Sequence, residues 1–223
     1  MRPSTVDHPG PRTPWLLYWV ARLWMRLFGW DVEGDAPQVT KAILIAAPHT
    51  SNWDLPHMLA ASLVFRLRIS WLGKHTLFRP PWGWFMRLLG GVAIDRRAPQ
   101  GSVKATAEVF DHHEKLVNAV PPSGTRSKRD HWKSGFYWIA HTAQVPIVCG
   151  YLDYGRRRAG LGFSFLPSGD IAADMDKIRA FYADKRGRFP EQESDIRLLE
   201  EVKAAAVEAG EAPPAPVAEQ PEP

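Results

Sequence analysis

The chemistry in this chain is most concentrated in the run Pro-His-Thr-Ser-Asn-Trp-Asp at 48–54, which places an imidazole at His49 and a carboxylate at Asp54 five positions apart. An apolar segment, AILIAA at 42–47, leads into it, and a segment of helical spacing follows. Where a strand ends in a polar turn before a helix, α/β folds build their sites. Across such a turn the chain can double back, so that Asp54 holds the Nδ1–H of His49. Nε2 is then free to take a proton from an alcohol. The nucleophile in that arrangement is the substrate's own hydroxyl, and no serine of the chain is needed. A His and an Asp so spaced also occur as structural caps, so the pair alone leaves both roles open.

Three further segments place hydrogen-bonding or cationic groups just past apolar runs. After 116–120 comes Pro121-Pro122-Ser123-Gly124-Thr125-Arg126-Ser127. Gly124 permits close backbone approach, Thr125 offers a hydroxyl, and Arg126 can grip a phosphate with two parallel bonds. Lys74 follows the run 69–72, and Asp95-Arg96-Arg97 follows 92–94. If those strands are neighbours, Lys74, Arg96 and Arg126 converge on one anionic group beside His49. The other reading is scattered, solvated surface cations.

Taken in chain order over residues 40–155, these segments resemble the glycerolipid acyltransferase family, the bacterial 1-acylglycerol-3-phosphate acyltransferases and their relatives. His49-x-x-x-x-Asp54 is similar to the family's H-x-x-x-x-D block. Lys74 and the run from Pro81-Trp82-Gly83 through Gly91, Ile94, Asp95 and Arg96 resemble its second block. Pro122-Ser123-Gly124-Thr125-Arg126-Ser127 resembles P-E-G-T-R-S, and Val145-Pro146-Ile147 is similar to V-P-I. The resemblance implies that His49 is a general base and Asp54 its orienter. It implies that Arg96 and Arg126, with Lys74, bind the phosphate or headgroup of a lysophospholipid-type acceptor, and that Gly124 and Thr125 shape the pocket floor. The acyl donor would be an acyl-CoA or acyl carrier protein thioester, acting as co-substrate, with no metal or other cofactor and direct transfer in a ternary complex. Ser123 stands where the family has a glutamate, which removes a charge beside the Arg126 loop. That departure motivates an alternative, a non-catalytic lipid-binding member of the same fold.

The elements that must position these residues follow from periodicity. Strands are expected at 42–47, 69–72, 92–94, 116–120, 146–152 and 161–166. Helices are expected at 54–66, 81–89, 102–114, 132–142, 171–186 and 194–209. Their alternation implies an α/β domain with a mixed, largely parallel central sheet flanked by helices, spanning 35–209. The aromatic stretch 82–89 reads as core or as the lining of an acyl-chain tunnel.

Residues 14–30 (PWLLYWVARLWMRLFGW) read as a basic, Trp-rich amphipathic helix within an N-terminal segment 1–34. It is too short to span a bilayer, and either lies in the membrane interface or packs on the domain by its apolar face. The chain has ten tryptophans, many beside Arg, Lys or Pro, which suits a membrane–water boundary as well as a core. A secretory leader is not expected, because the first apolar run begins at Trp15 with no small-residue cleavage site after it.

Residues 190–223 hold nine acidic and two basic side chains, leaving 26 basic against 15 acidic in the rest. The acidic, Pro-rich stretch 210–223 should be a disordered tail. The basic body calls for an anionic partner. No nucleic-acid motif accompanies it, so the expected partners are the acyl thioester, the lysolipid and a membrane surface, with no nucleic acid. Arg156-Arg157-Arg158 reads as a membrane or carrier contact, or as a solvated turn. Cys149 sits in the most apolar strand and reads as core. The expected location is peripheral, on the cytoplasmic face of a membrane.

Overall fold

The computed structural model describes residues 8–94 and 103–208. The tail expected from 210 and the cation Arg96 lie outside the described residues. Seven strands form one sheet: β1 (Asp31–Glu33), β2 (Lys41–Ala47), β3 (Ile69–Lys74), β4 (Gly91–Ile94), β5 (Leu116–Val120), β6 (Ile147–Asp153) and β7 (Arg158–Phe165). Their order is β1-β7-β6-β2-β5-β3-β4. Every neighbouring pair is parallel except β6 with β7, which run antiparallel. The helices are α1 (Trp15–Leu27), α2 (Asp54–Val64), α3 (Gly83–Leu88), α4 (Val103–Asp111), α5 (Gly135–Ala143), α6 (Ile171–Tyr182) and α7 (Leu199–Glu208).

β2 lies in the middle of the sheet, between β6 and β5. That explains its uninterrupted apolar sequence, since a central parallel strand is covered on both faces. Its Ile43 and Ile45 join Ile147 and Cys149 of β6 against Phe136, Tyr137, Met175, Ile178 and Tyr182 from α5 and α6. On the other face, Ala42 and Leu44 pack with Val117, Ala119, Val148, Phe65 and Leu67. Cys149 is wholly buried, and burial pushes its thiol pKa up to about 12. Such a thiol is no nucleophile.

Helix α1 crosses α2 and seats Tyr18, Ala21 and Met25 on Ala60, Ala61 and Val64. Those three residues, at i, i+3 and i+7, form the packed face. The stripe most apolar in sequence faces outward: Leu16, Trp19, Val20, Leu23 and Leu27 are exposed. No helix among the described residues is long and apolar enough to cross a membrane.

The tryptophans divide between the two roles. Trp30, Trp71 and Trp132 are core, whereas Trp19, Trp82 and Trp84 are exposed. The stretch 82–89 is core only in part: Met86 packs against the cluster that holds Trp71 and Phe78, whereas Trp82, Trp84 and Leu88 point outward. Gly83 is the one fully buried residue of α3. In the 156–158 turn, Arg156 pairs with Asp153 and Asp184, and Arg158 with Asp31.

The two apolar faces have opposite energetic weight. Ile45→Ala, in the fully buried central strand, should cost about 2–5 kcal/mol in urea denaturation. Leu23→Ala, at a side chain 59% exposed on α1, should change stability by about 0.5 kcal/mol or less. Equal losses from the two would contradict this assignment of inner and outer faces.

Candidate active site

The carboxyl end of β2 delivers Pro48 and His49, and Asp54 opens α2 after one turn of chain. His49 Nδ1 lies 3.0 Å from Asp54 Oδ2. The same oxygen accepts the backbone N–H groups of Thr50 and Ser51, each at 2.9 Å. A carboxylate can only accept, so Nδ1 of His49 carries the hydrogen and Nε2 of the neutral ring is left as the base. Asp54 is 4% exposed, while the His49 side chain is 25% exposed at the rim of a cavity.

Sequence reasoning missed the fourth donor. The Tyr154 hydroxyl, one residue past β6, donates to Asp54 Oδ1 at 2.8 Å. Burial, followed by the neighbouring Asp54 charge, raises the pKa of this phenol. It therefore stays protonated and remains a donor. Tyr154 lies 100 positions from Asp54, and only the adjacency of β6 and β2 brings them together.

The second loop closes against the first. Arg126 Nη1 donates to Asn52 Oδ1, joining the 121–127 loop to the 49–54 loop. Gly124 has φ +68°, in the left-handed region where a side chain is strained, and its N–H bonds Pro121 O at 3.0 Å. Ser123 is buried and donates to Thr125 O at 2.7 Å. The residue at the family's glutamate position thus braces the loop from within. His49, Asn52, Asp54, Gly124, Thr125 and Arg126 all line one cavity. Lys74 ends β3 in register with Ile94 at the end of β4, beside β5. β3, which ends on Lys74, lies between β4 and β5, the strand that leads into the Arg126 loop.

That cavity, about 410 Å³, runs from His49 inward between α2 and the sheet. Its inner wall is apolar, with Leu44, Ala61, Phe65, Leu67, Leu152 and Leu161. Gly150 keeps its floor thin, since a Cβ there would meet Ile45 O at 2.9 Å. A polar mouth with a base and a guanidinium, opening into an apolar recess, fits an amphiphile with an anionic head and a hydrocarbon chain.

Behind Asp54, His57 is 3% exposed within a ring of Trp24, Phe28, Trp30, Trp53 and Tyr154. Trp24 Nε1 donates to His57 Nδ1 at 3.3 Å, which requires that nitrogen to be unprotonated. Burial lowers the His57 pKa. Asp54 opposes the shift, and Arg188 adds to it.

The Acyltransferase family model matches residues 30–152. Two curated 1-acyl-sn-glycerol-3-phosphate acyltransferases are similar to the chain. The Streptococcus pneumoniae protein is 29% identical over 129 residues, covering 53% of this chain and 47% of the relative. The Escherichia coli protein is 33% identical over 132 residues, covering 55% and 52%. The chain therefore spans about half the length of the curated relatives it matches. The crystal structure of the 1-acyl-sn-glycerophosphate acyltransferase PlsC from Thermotoga maritima shares the fold, with a TM-score of 0.53 at 19% identity. That match covers 76% of this chain and 74% of that one.

A histidine held neutral makes stability depend on pH. Unfolded His57 titrates near the ordinary value of about 6.5, while the folded ring resists protonation. The unfolded state then binds more protons as pH falls through about 6.5, so stability declines on acidification down to the lowered folded pKa. Urea midpoints at about pH 7.5 and 5.5 should differ less in His57→Phe than in the wild type. An unchanged difference would show that another group carries the slope.

Proposed function

The chain belongs to the acyltransferase family, and on that premise we propose that it moves a fatty acyl group from an acyl-CoA or acyl carrier protein thioester to the hydroxyl of a lysophospholipid-type, 1-acylglycerol-3-phosphate-like acceptor. The observation that carries this reading is the His49–Asp54 pair at 3.0 Å, set at the mouth of an apolar cavity beside Arg126. Similarity to the two curated relatives supports the acceptor class.

In this reading His49 Nε2 takes the proton of the acceptor hydroxyl as its oxygen attacks the thioester carbonyl carbon. The new C–O bond forms, the C–S bond breaks, and the proton passes from the imidazolium to the departing sulfur. Asp54 keeps the ring's tautomer and stabilises its transient positive charge. Arg126, with Lys74 and Arg96, neutralises the acceptor phosphate. The apolar wall from Leu44 to Leu161 shelters a hydrocarbon chain. The outward apolar stripe of α1 lies in the interface of a membrane, with the protein peripheral on its cytoplasmic face.

The internal bracing of the Ser123 loop bears on the non-catalytic alternative. The serine keeps the loop formed without presenting a group to the cavity, which supports the catalytic reading over that alternative.

Purified protein should be given labelled acyl-CoA or acyl carrier protein thioester with a panel of lysolipids. His49→Ala should lower kcat by about 10²–10⁴-fold, the usual contribution of a positioned base, while vesicle binding persists. Full activity of that variant, or no thioester-dependent product from the wild type, would refute the reading. Tyr154→Phe removes one hydrogen bond from Asp54 and should lower kcat about fivefold with KM unchanged, matching roughly 1 kcal/mol. A rise in KM alone would mean that Tyr154 serves binding and not the placement of Asp54.

A further inference from the structure

On the side of Asp54 away from the His49 cavity lies a second concavity, a groove of about 660 Å³ between the end of α1 and the turn at 154–157. Arg26, Arg157 and Arg188 rim it, over a floor that includes Trp30, His57 and Tyr154. It shares no lining residue with the first cavity. Among the described residues none of the three arginines has a carboxylate partner, in contrast to Arg156 and Arg158 on either side of Arg157. Arg157 Nη1 donates to a backbone carbonyl, Phe28 O, at 3.4 Å. Arg188 stands over the Trp53 and Phe189 rings, 5.8 Å from each centroid, and its side chain hydrogen-bonds the Tyr154 hydroxyl.

We infer that this groove binds the phosphate of an anionic membrane phospholipid, at a site distinct from the one where the acceptor reacts. Three guanidinium groups around one concavity, none in an ion pair with a carboxylate among the described residues, are complementary to a phosphate ester. The apolar stripe of α1 argues for a lipid. Leu27, 74% exposed, belongs both to that stripe and to the groove wall. A lipid with its phosphate on the arginines can lay its chains along Leu27, Leu23 and Val20 without leaving the protein surface. The inference rests on the reading that α1 lies at a membrane surface, and it adds which lipids that surface selects. Tyr154 is the wall between groove and dyad, since its ring faces the groove and its hydroxyl holds Asp54.

The full chain should be titrated calorimetrically with dihexanoyl phosphatidylglycerol below its micellar concentration. Dihexanoyl phosphatidylcholine and inorganic phosphate are the comparison ligands. The anionic lipid should bind at least about tenfold tighter than either. Arg157→Gln/Arg188→Gln should weaken it by at least about tenfold, and Arg26→Gln by about threefold or more, as expected for basic groups at a lipid phosphate. Arg68→Gln/Lys115→Gln, an exposed pair with the same charge change, should stay within about twofold of wild type. Equal losses in the two double variants, or retained affinity in Arg157→Gln/Arg188→Gln, would overturn the site. Inorganic phosphate binding as tightly as the lipid would overturn its lipid identity. None of these titrations requires turnover, so a failed acyl-transfer assay and a failed groove are separate results.

Discussion

The structure around the site depends on keeping one carboxylate out of water. Asp54 is almost fully buried, and an ionised carboxylate in such a place is tolerated only when donors surround it. Four do: an imidazole, two backbone amides and a phenol. A hydrogen bond to a charged group is worth about 1.5–3 kcal/mol, and losing a buried partner costs about as much again in desolvation. The donors come from the end of β2, the turn after it and the residue following β6. The order of strands in the sheet is therefore a condition for the charge to exist where it does.

That carboxylate is also a partition. One oxygen faces the His49 side, where an apolar recess opens beneath a polar mouth. The other meets Tyr154, whose ring belongs to a cationic groove under the end of α1. The aromatic ring around His57 fills the space between, and the Trp24–His57 hydrogen bond ties α1 to the helix that carries Asp54. A helix with its apolar stripe turned outward is thus joined, through His57 and Tyr154, to the Asp54 oxygen opposite the one that orients the candidate base.

The loop at 121–127 shows how a motif position can change without loss of its geometry. Its shape comes from Gly124 in a left-handed conformation, the Gly124–Pro121 backbone bond and the Ser123 hydroxyl on Thr125 O. These are internal bonds. Arg126 reaches outward to Asn52 and couples the loop to the His49 turn. Serine suffices for the bracing because the acceptor it serves is a neutral carbonyl, where a carboxylate would face an oxygen it cannot bond.

Local pattern determined a good deal of this. The apolar runs and their helical or alternating spacing place β2, β5 and β6, and the helices between them, within a few residues. The five-residue separation of His49 and Asp54 across a strand–helix turn is itself a local geometry, so the pair was legible from spacing. Whatever depended on distant chain was not. Tyr154 carries no signal of its own in the sequence, because its partner lies 100 residues away and meets it only through parallel pairing of β2 with β6. The apolar stripe of α1 could be read, but not its direction. A helix with Tyr18, Ala21 and Met25 on one side and Leu16, Leu23 and Leu27 on another has two surfaces able to pack. The small residues Ala60 and Ala61 of α2 decided which one does. The outward turn of Trp82 and Trp84, and the pairing of Arg156 and Arg158 that leaves Arg157 over the groove, were decided the same way. Periodicity is a property of neighbours along the chain, whereas burial and charge pairing belong to the surfaces that the assembled sheet brings together.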